Sequence, residues 1–195
     1  MSKKTVFLTG ASGNMGWEGF KQLYAKKDKF NIVVLLRDSE KNRTKFANYI
    51  NDPSVRIVWG DLRKYEDVLE CVNGSDYVLH VGGMVSPAAD YYPVKTQKTN
   101  VAAAQNIVKA IKAQPDPDAV HVVYIGTVAE TGDRNAPIHW ARTGDPLKVS
   151  VYDHYAISKI KAEAVFAESG LKHWVSLRQS GILYTAILKN IDPIM

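Results

Sequence analysis

The stretch from Thr5 to Gly16 constrains the fold of this chain most, because it reads as a strand, a glycine-rich turn and the start of a helix. An apolar run, Val6 to Leu8, precedes Gly10, Gly13 and Gly16, and the pattern then becomes helical. Glycine at such a turn leaves backbone amides open to an anion such as a pyrophosphate, and the dipole of the following helix adds to the attraction. The spacing is GxxGxxG rather than GxGxxG, so a tight turn with close packing is the alternative explanation.

Further apolar runs alternate with helical patterns along the chain. They predict strands at 32–36, 55–59, 77–81, 121–125 and 174–177, and helices at 40–50, 65–72, about 94–113 and 152–169. Short continuous runs are typical of strands covered on both faces. Alternating strands and helices form a parallel sheet with right-handed crossovers. We therefore predict an α/β fold, a doubly wound parallel sheet with helices on both faces, whose ligand crevice lies beyond the carboxyl ends of the strands.

Length and composition restrict the class of protein. A chain of 195 residues with 46% hydrophobic residues can bury a sizeable core. The single cysteine, Cys71, excludes an internal disulfide framework and suits the cytoplasm, and no apolar run approaches the ~20 residues that span a bilayer. The net charge of +5 comes from scattered lysines. We therefore expect neither a nucleic-acid nor a membrane partner, whereas an anionic small ligand is compatible with the charge.

Three side chains near predicted strand ends or on one helix face are candidates for proton transfer. Tyr155 and Lys159 lie four residues apart in a helical segment, so they project from the same face. A nearby ammonium favours phenolate and would lower the phenol pKa into a useful range. Thr127 follows the fifth strand, where its hydroxyl can polarise a substrate oxygen. Each of these three residues, taken alone, also has a purely structural explanation. The histidines at 121, 139, 154 and 173 show no metal-ligand spacing.

Taken in order, five motifs resemble those of the extended short-chain dehydrogenase/reductases, the NAD-dependent epimerase/dehydratase group. The motifs are Thr9-Gly10-Ala11-Ser12-Gly13-Asn14-Met15-Gly16, Gly60-Asp61-Leu62, His80-Val81-Gly82-Gly83, Thr127 with Gly132, and Tyr155 to Lys159. The resemblance covers nearly the whole chain and implies a Rossmann-type domain that binds NAD(P). We therefore divide the chain into an NAD(P)-binding domain, 1–185, and the start of a C-terminal substrate-binding region, 186–195, which we expect to continue in a longer protein.

The resemblance also implies roles for individual residues. Tyr155 would be the catalytic acid/base, Lys159 would lower its pKa and bind the ribose, and Thr127 would take the position of the family's catalytic serine or threonine. The other residues carried over as cofactor-binding are Gly10, Ser12, Gly13, Asn14, Met15, Gly16, Asp61, Leu62, Gly82 and Gly83. The two glycines at 82 and 83 stand where the family usually has alanines, and the strand exit Arg178-Gln179-Ser180-Gly181 lacks the usual proline.

Arg37 distinguishes between the two nicotinamide cofactors. Sites that prefer NAD place a carboxylate on the ribose hydroxyls at the end of the second strand, and that carboxylate would repel a 2′-phosphate. Here the strand ends in Arg37, whose planar guanidinium suits a phosphate, although Asp38 follows and could turn inward instead. We predict NADP as the preferred cofactor and keep NAD as the alternative.

The predicted function is that of an NAD(P)-dependent oxidoreductase acting on a hydroxyl or carbonyl of a small-molecule substrate. A nucleotide-sugar epimerase or dehydratase with tightly bound NAD is the alternative enzyme. A non-catalytic dinucleotide-binding regulatory module is a third reading, which the presence of Tyr155, Lys159 and Thr127 together disfavours. The family often dimerises through the two long helices predicted here, which makes a homodimer possible.

Overall fold

A parallel sheet forms the centre of the fold in this computed structural model, which describes residues 2–132, 142–148 and 150–182. Within those residues the sheet has six strands in the order β3-β2-β1-β4-β5-β6. The strands are β1 (Lys4–Thr9), β2 (Phe30–Leu36), β3 (Val55–Trp59), β4 (Tyr77–His80), β5 (His121–Thr127) and β6 (Trp174–Gln179). The order reverses between β1 and β4, and a sheet of this kind opens a crevice at such a point.

Helices connect the strands and cover both faces of the sheet. They are α1 (Asn14–Tyr24), α2 (Glu40–Phe46), α3 (Tyr65–Val72), α4 (Ala88–Tyr91), α5 (Pro93–Lys112) and α6 (His154–Ala167). Short 3-10 turns occupy Ala47–Tyr49, Pro117–Ala119 and Val128–Thr131. In the described part of the chain, no helix is both long enough and apolar enough to cross a membrane.

Two hydrophobic cores explain why the strand sequences are continuously apolar. On one face, Phe7 packs in a cluster with side chains of α3, α5 and α6, including the fully buried Phe166. On the other face, the neighbouring Leu8 packs in a cluster with Phe20 of α1 and Phe46 of α2. Successive side chains of a strand point to opposite faces, so both Phe7 and Leu8 must be apolar. The predicted doubly wound sheet with helices on both faces is confirmed.

The observed elements differ from the predicted ones mainly at their ends. The predicted limits of β3 and α3 are those observed, and β5 extends two residues further, to Thr127. Helix α6 is shorter than the predicted 152–169 because the Asp153 carboxylate caps it, accepting a hydrogen bond from the Ala156 amide. The short helix Ala88–Tyr91 was not predicted. The predicted C-terminal region, 186–195, and the end of the predicted domain lie outside the described residues.

Candidate functional site

The glycine-rich turn brings the ends of β1 and β4 into direct backbone contact. Gly10 has a φ of +70°, and a Cβ placed there would lie 2.6 Å from the Cα of Gly82. A Cβ at Gly16 would lie 2.1 Å from the Gly10 carbonyl oxygen, so α1 can pack against the turn only with glycine at this position. These contacts show why glycine is required at two of the predicted cofactor residues, Gly10 and Gly16.

The start of α1 suits an anionic group. Helix α1 begins at Asn14 after the N-cap residue Gly13, and no side chain caps it. The first-turn amides, which include those of Asn14 and Met15, therefore lack intrahelical partners and a side-chain acceptor. A Cβ at Gly13 would touch only the Gly10 carbonyl oxygen, at 3.4 Å, so the outer side of this turn is open. This cradle fits the pyrophosphate of a dinucleotide.

A buried histidine fixes the separation of β1 and β4. Nδ1 of His80, 2% exposed, lies 2.9 Å from Oγ1 of Thr9, and the Gly82 amide donates to the same hydroxyl at 2.8 Å. Burial lowers the pKa of His80 to about 3, with a further contribution from the charge of Lys159. His80 is therefore neutral at physiological pH and holds the turn rather than taking part in proton transfer.

A cavity of about 320 Å³ lies beside this turn, at the carboxyl ends of β4, β5 and β6. It brings together five of the predicted site residues: Met15, Gly83, Thr127, Tyr155 and Lys159. It is also lined by residues that the sequence did not indicate as cofactor contacts, namely Met84, Val85, Gln179 and Ile182. Gln179 follows the same strand-end rule that identified Thr127, because it is the last residue of β6.

Tyr155 and Thr127 line the same cavity, as the sequence predicts, and the Thr127 side chain influences the pKa of the phenol. Burial raises the pKa of the phenol above its ordinary value of 10, the Thr127 side chain opposes this, and the charges of Glu130 and Asp153 add to the increase. The net shift is upward, and the predicted lowering of this pKa by Lys159 stays a prediction. Tyr155 is consequently a neutral phenol, the form that donates a proton.

The ammonium of Lys159 is buried against β5. Its ammonium donates to the Ile125 carbonyl and lies 4.2 Å from the centroid of the Tyr124 ring, and the Tyr124 hydroxyl donates back to the Lys159 carbonyl at 3.1 Å. Burial lowers the pKa of Lys159 to about 8, opposed by the charges of Glu130 and Glu163. The charge of Lys159 is thus engaged with the backbone of β5 in the structure.

The ends of β2 and β3 form the other half of the crevice. Asp38 is held by a bidentate ion pair with Arg43, at 2.6 and 2.8 Å. The Arg37 side chain is exposed and has no hydrogen bond or ion pair with the described residues, although its charge helps to lower the pKa of Asp61, after the larger effect of the Arg63 hydrogen bond. Leu62 lies against Gly82, where a Cβ would be 3.0 Å from Leu62 Cδ1.

Ser12 contributes to the turn through its backbone, since its carbonyl accepts a hydrogen bond from Lys45 at 2.9 Å.

Asn100 links the loop after β4 to α6. Its Oδ1 accepts a hydrogen bond from the Met84 backbone amide, and its Nδ2 donates to the Met84 carbonyl and to the Ser158 hydroxyl. No group of three or more histidine, cysteine or acidic side chains in the described residues is arranged to hold a metal ion.

Fold and site together define a dinucleotide-binding domain of the Rossmann type with a tyrosine and a lysine four residues apart on the helix beside its crevice. The sequence matches the NAD dependent epimerase/dehydratase family over residues 6–178, and the chain belongs to that family. This confirms the resemblance drawn from the five motifs.

Characterised relatives are enzymes that act on nucleotide sugars. The chain is 31% identical over 112 residues to a UDP-glucose 4-epimerase of Rickettsia felis, an alignment that covers 55% of this chain and 32% of that protein. It is 32% identical over 110 residues to an inverting UDP-N-acetylglucosamine 4,6-dehydratase of Campylobacter jejuni, covering 56% and 33%. The alignments thus span about a third of the relatives' own length.

A solved structure shows the same fold with a cofactor bound. The Bordetella bronchiseptica enzyme WbmH in complex with NAD+ matches with a TM-score of 0.74 and 24% identity, over 93% of this chain and 57% of that one. NAD is therefore the cofactor seen in a structural neighbour of this NAD-dependent family.

Proposed function

We propose that this protein catalyses NAD(P)-dependent hydride transfer at a substrate carbon that bears a hydroxyl or carbonyl group. The observation that supports this most is that Tyr155, Thr127 and Lys159 line one cavity, which also reaches Met15 at the start of α1. Gly10, Gly13 and Gly16 keep the turn compact, and the amides of Asn14 and Met15 are available for a pyrophosphate. A bound nicotinamide supplies the hydride chemistry.

In this proposal, Tyr155 exchanges the proton of the substrate oxygen and Thr127 holds that oxygen. A neutral phenol donates a proton to a carbonyl oxygen as the carbon is reduced, and the phenolate takes the proton back in the reverse direction. Lys159, which lines the same cavity, binds a ribose hydroxyl. Met84, Val85 and Ile182 give the cavity an apolar wall.

The test compares Tyr155→Phe with the unaltered protein. Removing the hydroxyl should reduce turnover by roughly 10²- to 10⁴-fold, the usual contribution of a positioned acid or base, and leave cofactor affinity nearly unchanged. Turnover would be followed with NADPH and a panel of carbonyl compounds, and with UDP-hexoses. Tyr152→Phe is the matched control, because that side chain is 88% exposed just before the same helix. Equal loss of turnover and cofactor binding in Tyr155→Phe would contradict the role.

A nucleotide-sugar epimerase or dehydratase is the second candidate, favoured by the identity of the relatives. Such an enzyme returns the hydride to the substrate and keeps NAD bound, whereas a reductase exchanges its cofactor. NAD that copurifies in stoichiometric amount and conversion of a UDP-sugar without added cofactor would select this candidate. Cofactor that exchanges freely and consumption of NADPH would select the reductase.

NADP is proposed as the preferred cofactor on the arrangement of charges at the end of β2. Asp38 is the carboxylate that would repel a 2′-phosphate, but its charge is paired with Arg43. Arg37, beside it, keeps a guanidinium free of hydrogen bonds to the described residues. An unpaired guanidinium is well suited to a phosphate. The NAD-bound neighbour makes NAD the alternative.

Calorimetric titration with NADP and with NAD tests the cofactor preference. Arg37→Ala should weaken NADP binding roughly 10- to 150-fold, which corresponds to about 1.5–3 kcal/mol for a hydrogen bond to a charged group, and should leave NAD binding nearly unchanged. Arg56→Ala is the matched control, because Arg56 is an exposed arginine of β3 near Glu70, away from the crevice. An NADP affinity that is unaffected by Arg37→Ala would refute the assignment.

We also propose that this protein is a cytoplasmic enzyme and that it forms homodimers through α5 and α6. Cys71 is buried and free, and burial raises its pKa to about 12, so it is kept from thiolate chemistry. Val94 of α5 is 66% exposed, and Ile157 and Ile160 of α6 are partly exposed. Sedimentation equilibrium of the unaltered protein and of Val94→Lys would test the dimer.

A further inference from the structure

Two carboxyl groups share one guanidinium beneath the proposed site. Glu130 follows β5 and is fully buried, and Glu163 of α6 is 4% exposed. Arg178 of β6 lies between them, with its Nη2 2.6 Å from Oε1 of Glu163 and its Nε 3.3 Å from Oε2 of Glu130. One cation therefore serves two buried acids, and a second proton or charge is needed to balance them.

The two oxygens of Glu130 are in different environments. Oε1 accepts a hydrogen bond from the Thr127 amide at 3.2 Å, which makes Glu130 part of a capping box with Thr127. Oε2 is buried and receives no hydrogen bond from the described residues. Arg178 faces this oxygen as an ion-pair partner at 3.3 Å without a hydrogen bond. A carboxylate oxygen that is buried without a hydrogen bond is costly, whereas a protonated carboxyl group can itself donate. The Glu163 carboxylate contacts the same guanidinium, which makes it the acceptor that the structure offers to this proton.

Glycine at position 126 makes room for this pair. A Cβ there would lie 2.8 Å from Ser176 Oγ, 3.1 Å from Arg178 Cγ and 3.1 Å from Glu130 Oε2. The Ser176 hydroxyl donates to Glu163, and the Arg178 Nη1 donates to the Asp145 carbonyl at 2.8 Å. The cluster is thus a packed assembly of β5, β6, α6 and the loop containing Asp145, not a chance approach of two acids.

We propose that Glu130 is a positioning residue: it shares one proton with Glu163, holds the Thr127 backbone, and sets the charge of Lys159. The inference rests on the proposed function of Thr127 and Lys159. When the carboxyl pair holds its proton, Lys159 faces less negative charge and loses its own proton more readily. When the pair releases the proton, the added negative charge favours the ammonium form. A proton passed from Lys159 to Glu130 converts an ammonium and a carboxylate into an amine and a carboxylic acid, with no net change of charge.

The surroundings of the pair support this exchange. Burial raises the pKa of Glu130 to about 8 and lowers that of Lys159 to about 8, so both groups titrate in the same range as a coupled system. The Arg178 hydrogen bond and the Ser176 hydrogen bond favour the charged form of Glu163, which makes Glu130 the protonated member. The ionisable groups that face the pair come from α6, β5, β6 and the loop before α6, and they are Tyr155, Lys159, Tyr124, Arg178 and Asp145.

NMR titration of the protein labelled with ¹³C at glutamate carboxyl carbons tests the shared proton without substrate or cofactor. The unaltered protein should show one glutamate resonance with an apparent pKa above 7, and Glu130→Gln should remove it. Glu18→Gln, which replaces an exposed glutamate of α1, should leave that resonance in place. Titration of every glutamate below pH 6 would overturn the proposal. Because no ligand is present, this result is independent of whether the protein proves to bind NAD(P).

A second titration separates a positioning role from a merely structural one. Glutamine keeps the oxygen that accepts from the Thr127 amide but cannot ionise, so in Glu130→Gln the Lys159 pKa, read from ¹³Cε, should fall by roughly one unit. If Glu130→Gln does not fold, Glu163→Gln removes the other member of the pair and should lower the Lys159 pKa in the same direction. A Lys159 titration that is unchanged in the folded variant would show that Glu130 only fills space.

Discussion

Replacing His80 with asparagine should remove a specific part of the acid sensitivity of this protein. His80 lies 2% exposed at the end of β4, and its Nδ1 is 2.9 Å from the Thr9 hydroxyl. An asparagine side chain places an oxygen or nitrogen near the position of Nδ1, so it retains a partner for Thr9 but does not titrate in this range. The substitution costs stability at every pH because it loses contacts with Tyr124 and Phe166.

The size of the effect follows from the depressed pKa of this imidazole. The pKa falls from 6.5 to about 3 on folding, so the unfolded chain binds a proton at pH 5 that the folded chain does not. Folding stability from this group is therefore fully present above pH 6.5 and is lost progressively as the pH falls toward 3. At pH 5 the loss is about 2 kcal/mol relative to pH 7.5, at 1.36 kcal/mol per pKa unit.

Urea denaturation at pH 7.5 and pH 5 measures this difference for the unaltered protein and for His80→Asn. The free energy of unfolding should fall between the two pH values by about 2 kcal/mol more in the unaltered protein than in the variant. Val78→Ala is the matched control, because it truncates a buried, non-titrating side chain of the same strand and should lower stability equally at both pH values. An equal pH difference in the unaltered protein and His80→Asn would refute the reasoning.

Two further predictions concern the turn and the loop beside the site. Gly16→Ala should prevent α1 from packing, since its Cβ would lie 2.1 Å from the Gly10 carbonyl oxygen. The control, Gly19→Ala, has nothing within 4 Å of its Cβ and should raise the free energy of unfolding by about 0.5–1 kcal/mol. Thermal denaturation distinguishes the two variants, and a stable Gly16→Ala protein would contradict the packing argument. Asn100→Ala should lower the free energy of unfolding by at least about 1–3 kcal/mol, because it leaves the backbone amide of Met84 without its acceptor. Hydrogen exchange measures this amide, and slowed exchange at Met84 in the variant would contradict the prediction.

The sequence predicted the sheet well because its strands are covered on both faces. The run 32–36, whose five residues are all apolar and buried, can be recognised without knowledge of its neighbours. The same reasoning found Thr127 and Tyr155, since strand ends and helical spacing are local properties. The ends of the elements were predicted less accurately. Asp153 caps α6, but it is one of several polar residues at which that helix could have begun.

Features that depend on distant contacts could not be predicted. Glu130 lies in a polar, irregular stretch, where a glutamate is normally exposed, and its burial requires Glu163 of α6 and Arg178 of β6. The orientation of Lys159 depends on the Ile125 carbonyl and the Tyr124 ring, which tyrosine-lysine spacing does not reveal. Spacing identifies which side chains share a helix face, but packing against the sheet determines what each one contacts.

The contact between Gly10 and Gly82 also limits how this protein can evolve. Every amino acid that a single-base change can produce from a glycine codon carries a Cβ, and a Cβ on Gly10 would lie 2.6 Å from the Cα of Gly82. A second substitution elsewhere cannot relieve the overlap, because the obstructing atom is backbone rather than a side chain. The meeting point of β1 and β4 is therefore closed to stepwise mutational change, whereas side chains of the cavity wall, such as Val85 and Ile182, can change without a backbone overlap of this kind.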